Sequence, residues 1–422
     1  MKLCIKNGLV INPNTGIEEV MDLLIEDGKI IEMGEVSKIA DQVIDATGKW
    51  VVPGLIDLHV HFRSPGFEHK ESIETGCNAA ARGGFTTVCC MPNTKPVVDN
   101  ECVVEYINAM AAKANGVNVL PVGAITQGQK GENLADIGKM AEHGICAISE
   151  DGKTVMDSGL MKKAMLYAKP FGLPIFSHTE DHALAGGTMN AGENAQLFGI
   201  KGIGRESEEI IVARDAILAR YTGCKLHLSH MSTKGSIELI KTFKDLGVQL
   251  TAETAPHYFI LDDSILGDYD ANKKMSPPLR TVSDVEAMKM ALKEGIIDVI
   301  ATDHAPHHYD EKNVEIDKAP FGIVGLETSF ALSYTHLVKT GILTPMELID
   351  KMSAKPAKVI SLDKGSLEVG KVADITIIDV EKEYIIDSKD FVSKGKNTPF
   401  NGMKVSGVVE YTVANGKVIF GN

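Results

Sequence analysis

Six histidine and aspartate side chains of the sequence have the types expected of metal ligands. His59 and His61 form an H-x-H pair, and strand geometry would place both imidazoles on one face. Four further candidates follow at wide intervals: Asp151, His178, His230 and Asp303. Imidazole nitrogens and carboxylate oxygens are donors that zinc and similar divalent ions accept. Because six donors exceed one tetrahedral site with a position left open for water, the set predicts two metal ions and a bridging anion.

Two side chains compete for the role of the bridging anion. Asp151 offers a carboxylate directly, whereas Lys153 would have to be carbamylated to become an anionic ligand. The residue types alone leave both possibilities open.

Two polar side chains close to the ligands are not counted among them. Asp57 shares the face of the H-x-H pair but lies deeper in the strand, which indicates support for a ligand rather than contact with a metal. His227 alternates to the strand face opposite His230, which indicates a structural role.

The candidate ligands stand at the ends of apolar, strand-like segments. Eight such segments alternate with helix-length segments, a pattern typical of parallel βαβ units. They are residues 55–61, 86–91, 117–125, 145–149, 174–178, 225–230, 249–254 and 298–302. The sequence therefore predicts an α/β fold with a TIM-like (β/α)8 barrel, whose catalytic groups come from the C-terminal ends of the strands.

Both ends of the chain predict short antiparallel strands instead. Asn7-Gly8 and Asp27-Gly28 are dipeptides typical of tight hairpin turns. Near the C-terminus, NGKVI at 415–419 resembles DGKII at 27–31. Since a lone hairpin is marginally stable, we expect one small β-sandwich domain built from residues 1–52 and 366–422. The catalytic barrel would then occupy residues 53–365.

Composition and charge argue against several classes of function. The chain of 422 residues carries a formal net charge of -14 and no lysine- or arginine-rich run, which disfavours nucleic-acid binding. We find neither an apolar run of about 18 residues, as a membrane-spanning helix would need, nor a signal pattern. The seven cysteines form no CxxC motif, so reduced thiols and a cytoplasmic location are expected.

One basic side chain beside the H-x-H pair predicts an acidic substrate. Arg63 lies two residues beyond His61, and its planar guanidinium can bind a carboxylate through two hydrogen bonds. Asn93 and His307 can add hydrogen bonds to the same group. We count His61 among the substrate contacts as well as among the ligands.

A polar segment after His307 has the composition of a loop over the site. It ends with Phe321 and Gly322, whose backbone we expect to contact the substrate. Both residues therefore belong to the predicted substrate-binding set.

The motifs around these residues resemble those of a known family. They are DLHVHFR at 57–63, MPNT at 91–94, EDG at 150–152, SH at 177–178 and 229–230, and TDHAPH at 302–307. Together they resemble the long-type bacterial dihydroorotases of the amidohydrolase superfamily. The resemblance spans essentially the whole chain, and the combination of DxHxHFR with TDHAPH is specific within the superfamily.

The resemblance implies the reversible cyclisation of N-carbamoyl-L-aspartate to L-dihydroorotate, a step of de novo pyrimidine (UMP) biosynthesis, with two zinc ions per subunit. It divides the ligands into His59, His61 and Asp303 for one zinc, His178 and His230 for the other, and a shared Asp151. This subfamily uses an aspartate where hydantoinases and the other dihydroorotase type use a carbamylated lysine, which favours Asp151 over Lys153 as the bridge.

The implied chemistry is consistent with the residue types. Zinc lowers the pKa of bound water from about 15.7 to about 7, so that hydroxide is available at neutral pH. Asp303 can take a proton from the attacking water and deliver it to the departing ring nitrogen. In the synthetic direction the same carboxylate would accept the proton of the attacking carbamoyl nitrogen.

One residue departs from the family pattern. The family has asparagine before the Pro-Pro-Leu-Arg segment at 277–280, and this chain has Ser276. A serine hydroxyl can still form a hydrogen bond, but its reach is shorter, so Ser276 is left out of the predicted site.

Two other functions compete with this interpretation. An allantoinase or hydantoinase would share the barrel and the metals, but Arg63 and Asn93 favour an acidic substrate. A non-catalytic subunit that only scaffolds aspartate transcarbamoylase would be expected to lose metal ligands, whereas all six candidates are present. Besides the small-molecule substrate, the partners to expect are a second subunit in a homodimer and aspartate transcarbamoylase.

Overall fold

The computed structural model of the protein describes residues 2–421. Its first five strands belong to a mostly antiparallel sheet at the N-terminal end of the chain. They are β1 (Lys2–Asn12), β2 (Ile17–Glu26), β3 (Lys29–Gly34), β4 (Gln42–Asp45) and β5 (Trp50–Pro53).

Eight parallel strands then form the barrel. The first five are β6 (Leu55–Val60), β7 (Phe85–Cys90), β8 (Asn118–Ala124), β9 (Ala147–Ser149) and β10 (Ile175–Ser177). A small parallel pair follows, β11 (Met189–Asn190) with β12 (Gly202–Ile203). The barrel continues with β13 (Leu226–Leu228), β14 (Leu250–Thr254) and β15 (Val299–Ile300).

The barrel strands are neighbours in chain order, from β6 to β15, and the two edge strands meet through the residues that follow them. Val60 forms a parallel bridge with His304, and the His61 N–H donates to the His304 carbonyl at 2.9 Å. This closure confirms the predicted (β/α)8 barrel, with all eight predicted strands in their predicted order.

Thirteen α-helices are described, most of them between barrel strands. They are α1 (Ile73–Arg82), α2 (Glu101–Ala111), α3 (Ile137–Glu142), α4 (Ser158–Ala168), α5 (Glu193–Phe198), α6 (Glu206–Thr222), α7 (Lys234–Asp245), α8 (Pro256–Ile260), α9 (Val282–Lys293), α10 (Tyr309–Lys312), α11 (Ser329–Ser333), α12 (Pro345–Ile349) and α13 (Lys355–Val359).

Side-chain caps fix where several of these helices begin. Ser72, Asn100, Asp157 and Thr233 each accept a hydrogen bond from a backbone N–H of the first turn, which would otherwise lack a partner. Among residues 2–421, no helix has both the length and the apolar character needed to cross a membrane.

The C-terminal strands complete the sheet that the N-terminal strands begin. They are β16 (Ile375–Ile385), β17 (Lys404–Ala414) and β18 (Lys417–Phe420). Strand β16 pairs antiparallel with β5, so both termini contribute to one domain, as predicted. The layers that we expected of a sandwich are parts of one continuous, hydrogen-bonded sheet of eight strands.

One of the two predicted N-terminal turns is wrong. Asp27-Gly28 does form the hairpin between β2 and β3. Asn7-Gly8, in contrast, lies inside β1, where the pairing with β2 shifts register between Ile5 and Gly8. Asn7 has a φ of 61°, so the dipeptide produces a bulge in a continuous strand.

Candidate metal centre and active site

The six predicted ligands meet at the C-terminal end of the barrel. They come from β6 (His59), from the residues just after β6, β10, β13 and β15 (His61, His178, His230 and Asp303), and from the turn after β9 (Asp151). Each side chain belongs to a residue that is at most 7% exposed. The strand ends thus bring together residues that are up to 244 positions apart.

Asp151 lies between two pairs of histidines. Its Oδ1 is 3.2 Å from Nε2 of His59, and its Oδ2 is 3.5 Å from Nε2 of His61. On the other side, Oδ1 is 3.5 Å from Nδ1 of His178 and 3.8 Å from Nε2 of His230. Asp151 therefore belongs to two groups of donor atoms, each close enough together to hold one ion.

Asp303 lies beside the first histidine pair. Its Oδ1 is 3.3 Å from Nε2 of His61 and 3.6 Å from Nε2 of His59, and it forms a further ligand group with His59 and His230. Burial on its own would raise the pKa of Asp303, but its interactions with His59, His61 and His230 lower that pKa below the ordinary value. The carboxyl group is therefore ionised and can accept a proton.

The donor set fits a divalent metal cofactor. The buried Nε2 atom of His59 has no hydrogen-bond partner among the described residues, although it faces two carboxylates. Nδ1 of His178 and Nε2 of His230 face each other at 2.9 Å. Imidazole nitrogens and carboxylate oxygens that converge in this way suit zinc and similar ions.

Lys153 lies apart from this cluster. Its ammonium group donates to the carbonyl of Gln129 at 3.0 Å, and the residue is exposed.

A second layer of polar groups fixes the orientation of His59. Oε1 of Glu253 is 2.8 Å from Nδ1 of His59, and Oε2 is 3.1 Å from Nε2 of His227. Burial would raise the pKa of Glu253, but the hydrogen bonds with His227 and His59 lower it to about 2. The ionised carboxylate keeps the proton of His59 on Nδ1, so that Nε2 offers a lone pair to the metal.

Glu253 escaped the sequence analysis, although a signal was present. It lies near the end of β14, the seventh barrel strand, where the rule for polar residues at strand ends applies equally. The predicted face of His227 is also wrong, since His227 contacts Glu253 inside the barrel. His230 has a φ of 42°, which breaks the strict alternation on which that prediction depended.

Asp57 and Asn93 support other parts of the cluster. Asp57 accepts the N–H groups of His59 and Thr302, both at 3.1 Å, and so lies below the ligands as predicted. Oδ1 of Asn93 is 2.9 Å from Nδ1 of His61, and its amide nitrogen donates to Asp151 at 3.0 Å. Asn93 therefore links a ligand of one group to the carboxylate shared by both, and one amide N–H is left for a ligand.

A cavity of about 450 Å³ opens above the cluster. All predicted site residues line it except His59, which lies beneath. Sequence analysis did not identify Glu180, whose Oε1 accepts a hydrogen bond from the Ser276 hydroxyl at 3.1 Å. Glu180 could have been predicted from its position, because it lies two residues after the candidate ligand His178. Ser276, left out of the predicted site, also lines the cavity.

Arg63 forms one wall of this cavity. Its Nε donates to the Pro306 carbonyl at 3.2 Å, and one terminal nitrogen lies 3.4 Å from Nε2 of His307. The same nitrogen of His307 is 2.9 Å from the carbonyl oxygen of Phe321. The predicted loop from 307 to 322 thus packs against Arg63 over the site.

The fold and the site together define a metal-dependent cyclic amidohydrolase. An L-hydantoinase (dihydropyrimidinase) from Arthrobacter aurescens has the same fold, with a TM-score of 0.89 and 26% identity over 99% of this chain and 96% of that one. A family profile described as Dihydro-orotase-like matches residues 48–236.

Full-length relatives identify the family. Proteins named dihydroorotase from Acetivibrio thermocellus and Geobacter metallireducens are each 51% identical to this chain. The first alignment covers 99% of this chain and 98% of the relative, and the second covers all of both. The chain belongs to the dihydroorotase family.

The role of Glu253 can be tested with Glu253→Gln. His59 and His227 each donate an N–H to this carboxylate. A glutamine side chain has only one acceptor oxygen, so one of the two histidine N–H groups would face the amide NH2, which is also a donor. We expect metal affinity to fall about 10- to 100-fold, measured as metal retained during dialysis against graded chelator concentrations. The control is Glu347→Gln at the exposed N-terminal cap of α12, which should retain metal normally; equal retention by both variants would refute the role.

Proposed function

We propose that this protein catalyses the reversible cyclisation of N-carbamoyl-L-aspartate to L-dihydroorotate in de novo pyrimidine biosynthesis. The main structural support for this substrate is the position of Arg63, which lines the same cavity as the ligand cluster. An arginine there suits a ring that carries a carboxylate. The names of the 51% identical relatives support the same activity.

We propose two zinc ions as the cofactor. His59, His61 and Asp303 would hold one ion, His178 and His230 the other, and Asp151 would be shared, as its place in two ligand groups supports. When bound, the metals supply Lewis-acid polarisation of a carbonyl and acidification of a water molecule.

The wall of the cavity would bind and orient the substrate. Arg63 would pair with the substrate carboxylate, and its contact with the Pro306 carbonyl holds the guanidinium plane in place. Asn93 and His307 would add hydrogen bonds, while Phe321 and Gly322 would lie against the ring. These contacts fix the carboxylate relative to the reacting amide, which is the source of the orientation effect.

Asp303 would carry the proton. In hydrolysis, a water oxygen forms a bond to the ring carbonyl carbon, Asp303 takes the water proton, and the carbon–nitrogen bond breaks as Asp303 returns that proton to the nitrogen. In ring closure, the carbamoyl nitrogen attacks the carbon of the protonated side-chain carboxyl group, and Asp303 accepts the nitrogen proton. The carbon–oxygen bond then breaks as Asp303 delivers that proton to the departing hydroxyl group, which leaves as water. Because the pKa of Asp303 lies below its ordinary value, its carboxyl group is ionised at neutral pH and is able to receive the proton.

The resemblance also supports a homodimer, an association with aspartate transcarbamoylase and a cytoplasmic location as further parts of this proposal. None of these is needed for the chemistry described above. The cavity, the ligands and Arg63 all belong to a single chain.

The proposed substrate can be tested by direct comparison of cyclic amides. We expect purified, zinc-loaded enzyme to hydrolyse L-dihydroorotate at least tenfold more efficiently, by kcat/KM, than hydantoin or allantoin, because only dihydroorotate offers a ring carboxylate to Arg63. Ring opening can be followed by the loss of ultraviolet absorbance or by chromatography. Higher efficiency with hydantoin or allantoin would assign the enzyme to that activity instead.

Asp303→Ala removes the proposed proton carrier. We expect kcat to fall by about 10²- to 10⁴-fold, the range that general acid–base catalysis contributes, while the circular dichroism spectrum stays that of the wild type. Metal content should be measured in parallel, because Asp303 is also a proposed ligand. Near-normal turnover by this variant would contradict the assigned role.

Arg63→Ala removes the proposed carboxylate anchor and spares the ligands. A hydrogen bond to a charged group contributes about 1.5–3 kcal/mol, so we expect KM for dihydroorotate to rise about 10- to 100-fold. Zinc content, measured by mass spectrometry, should match the wild type. If this variant loses zinc, Arg63 supports the metal centre rather than the substrate.

A further inference from the structure

A buried side chain from outside the barrel joins two walls of the substrate cavity. Asn397 lies in the connection between β16 and β17 and is only 3% exposed. The residues around it connect strands of the terminal sheet, yet its amide group reaches the barrel loops. Neither the motifs of the sequence nor the proposed mechanism uses it.

Each polar atom of the Asn397 amide contacts the backbone of a cavity wall. Its Nδ2 donates to the carbonyls of Ala305 and Gly322, both at 2.9 Å. Its Oδ1 accepts the His307 N–H at 3.0 Å, and its backbone carbonyl accepts the Val324 N–H at 2.9 Å. Asn397 therefore connects the segment 305–307 to the segment 322–324 through four hydrogen bonds.

Close approach of the backbones confirms how tightly these segments fit. Gly322 has a φ of 146°, and a Cβ atom there would lie 2.7 Å from the carbonyl oxygen of Ala305. A Cβ atom at Gly395, two residues before Asn397, would lie 2.6 Å from the Cβ of Pro306. The C-terminal segment and both walls thus lie closer together than ordinary side chains would permit.

The two segments carry groups that face the substrate. Ala305, His307 and Gly322 all line the cavity. The Pro306 carbonyl accepts a hydrogen bond from Arg63, the proposed carboxylate anchor. A shift of the segment 305–307 would therefore move Arg63, and a shift of 322–324 would move the surface that contacts the ring.

We infer that Asn397 is a positioning residue for substrate binding, which sets the spacing between the Arg63 side and the Gly322 side of the cavity. The inference rests on the proposed function for the identity of the substrate. Through Asn397, the connection between two strands of the terminal sheet acts on the active site by way of the backbone segments that it joins. Because the metal ligands come from the barrel strands, the effect should fall on substrate affinity.

The experiment compares Asn397→Asp and Asn397→Ala with Asn401→Asp in full-length, zinc-loaded enzyme. Aspartate retains the acceptor for the His307 N–H but loses both donors, whereas alanine loses the whole amide. Asn401 is an exposed residue of the same segment whose Oδ1 accepts the Ser388 N–H at 2.9 Å, so its aspartate variant keeps that contact. If the alanine variant does not fold, the result with the aspartate variant, which has the same shape as asparagine, decides whether the inference holds.

Two measurements follow for each protein. For L-dihydroorotate, we expect both Asn397 variants to raise KM about tenfold or more. The value of kcat should stay within about threefold of the wild type, and the zinc content should not change. This pattern is expected when an interaction that binds the ground state and the transition state equally is lost. Hydrogen exchange measured by mass spectrometry should become faster in peptides that cover 305–309 and 320–326. Asn401→Asp should match the wild type in both measurements.

The outcomes separate this inference from the proposed function. Unchanged KM and unchanged exchange in the Asn397 variants overturn it, and so does a loss of kcat in Asn397→Asp that accompanies loss of zinc or of the folded state. If wild-type enzyme does not turn over dihydroorotate, the proposed function fails, and hydrogen exchange alone then decides whether Asn397 holds the two walls together.

Discussion

Two carboxylates and four imidazoles lie within a few ångströms of one another at the end of the barrel, largely removed from solvent. Burying ionised groups without partners costs several kcal/mol per ion. A divalent cation at this site would relieve that cost for the carboxylates and would use the inward lone pairs of the histidines. The surrounding groups then have to keep each imidazole in one tautomer, which is what Glu253 does for His59 and the Asn93 amide does for His61.

The same centre explains why the barrel strands end where they do. Arg63, His230 and Asp303 have φ values of 60°, 42° and 47°, a left-handed conformation that costs a residue other than glycine about 1–2 kcal/mol. Each of them follows a barrel strand and points a functional side chain into the cavity. The chain has left β geometry at these positions, so the strict alternation of side chains along a strand no longer applies to them.

Much of this arrangement could be predicted from the sequence, because barrel strands and strand ends have strong local signals. The eight apolar segments were sufficient to predict the barrel. The residues that follow those segments were sufficient to predict which side chains the structure brings together. The errors came where one residue changes the backbone. The Asn7-Gly8 dipeptide is equally compatible with a turn and with a bulge, and the sequence does not distinguish the two. The prediction that His227 and His230 lie on opposite faces assumed a regular strand, and the left-handed backbone at His230 breaks that regularity.

Contacts between distant parts of the chain could not be predicted in this way. Glu253 was recognisable only as a polar residue in an apolar strand, and nothing in its neighbourhood indicates His59, 194 residues earlier. Asn397 is 90 residues from His307, and its segment has the composition of an ordinary surface loop.

The reach of that segment also gives a physical reason for building one domain from both termini. Strand β5 leads directly into the first barrel strand, and β16 pairs with β5, so the terminal sheet is anchored beside the barrel. The connection from β16 to β17 can then extend from a fixed base to the cavity. Ser393 donates to Glu71 and the Ser393 N–H to Glu327, two buried carboxylates of the barrel region, before Asn397 reaches the walls. Without that connection, the carbonyls of Ala305 and Gly322 would lose the donor that joins them.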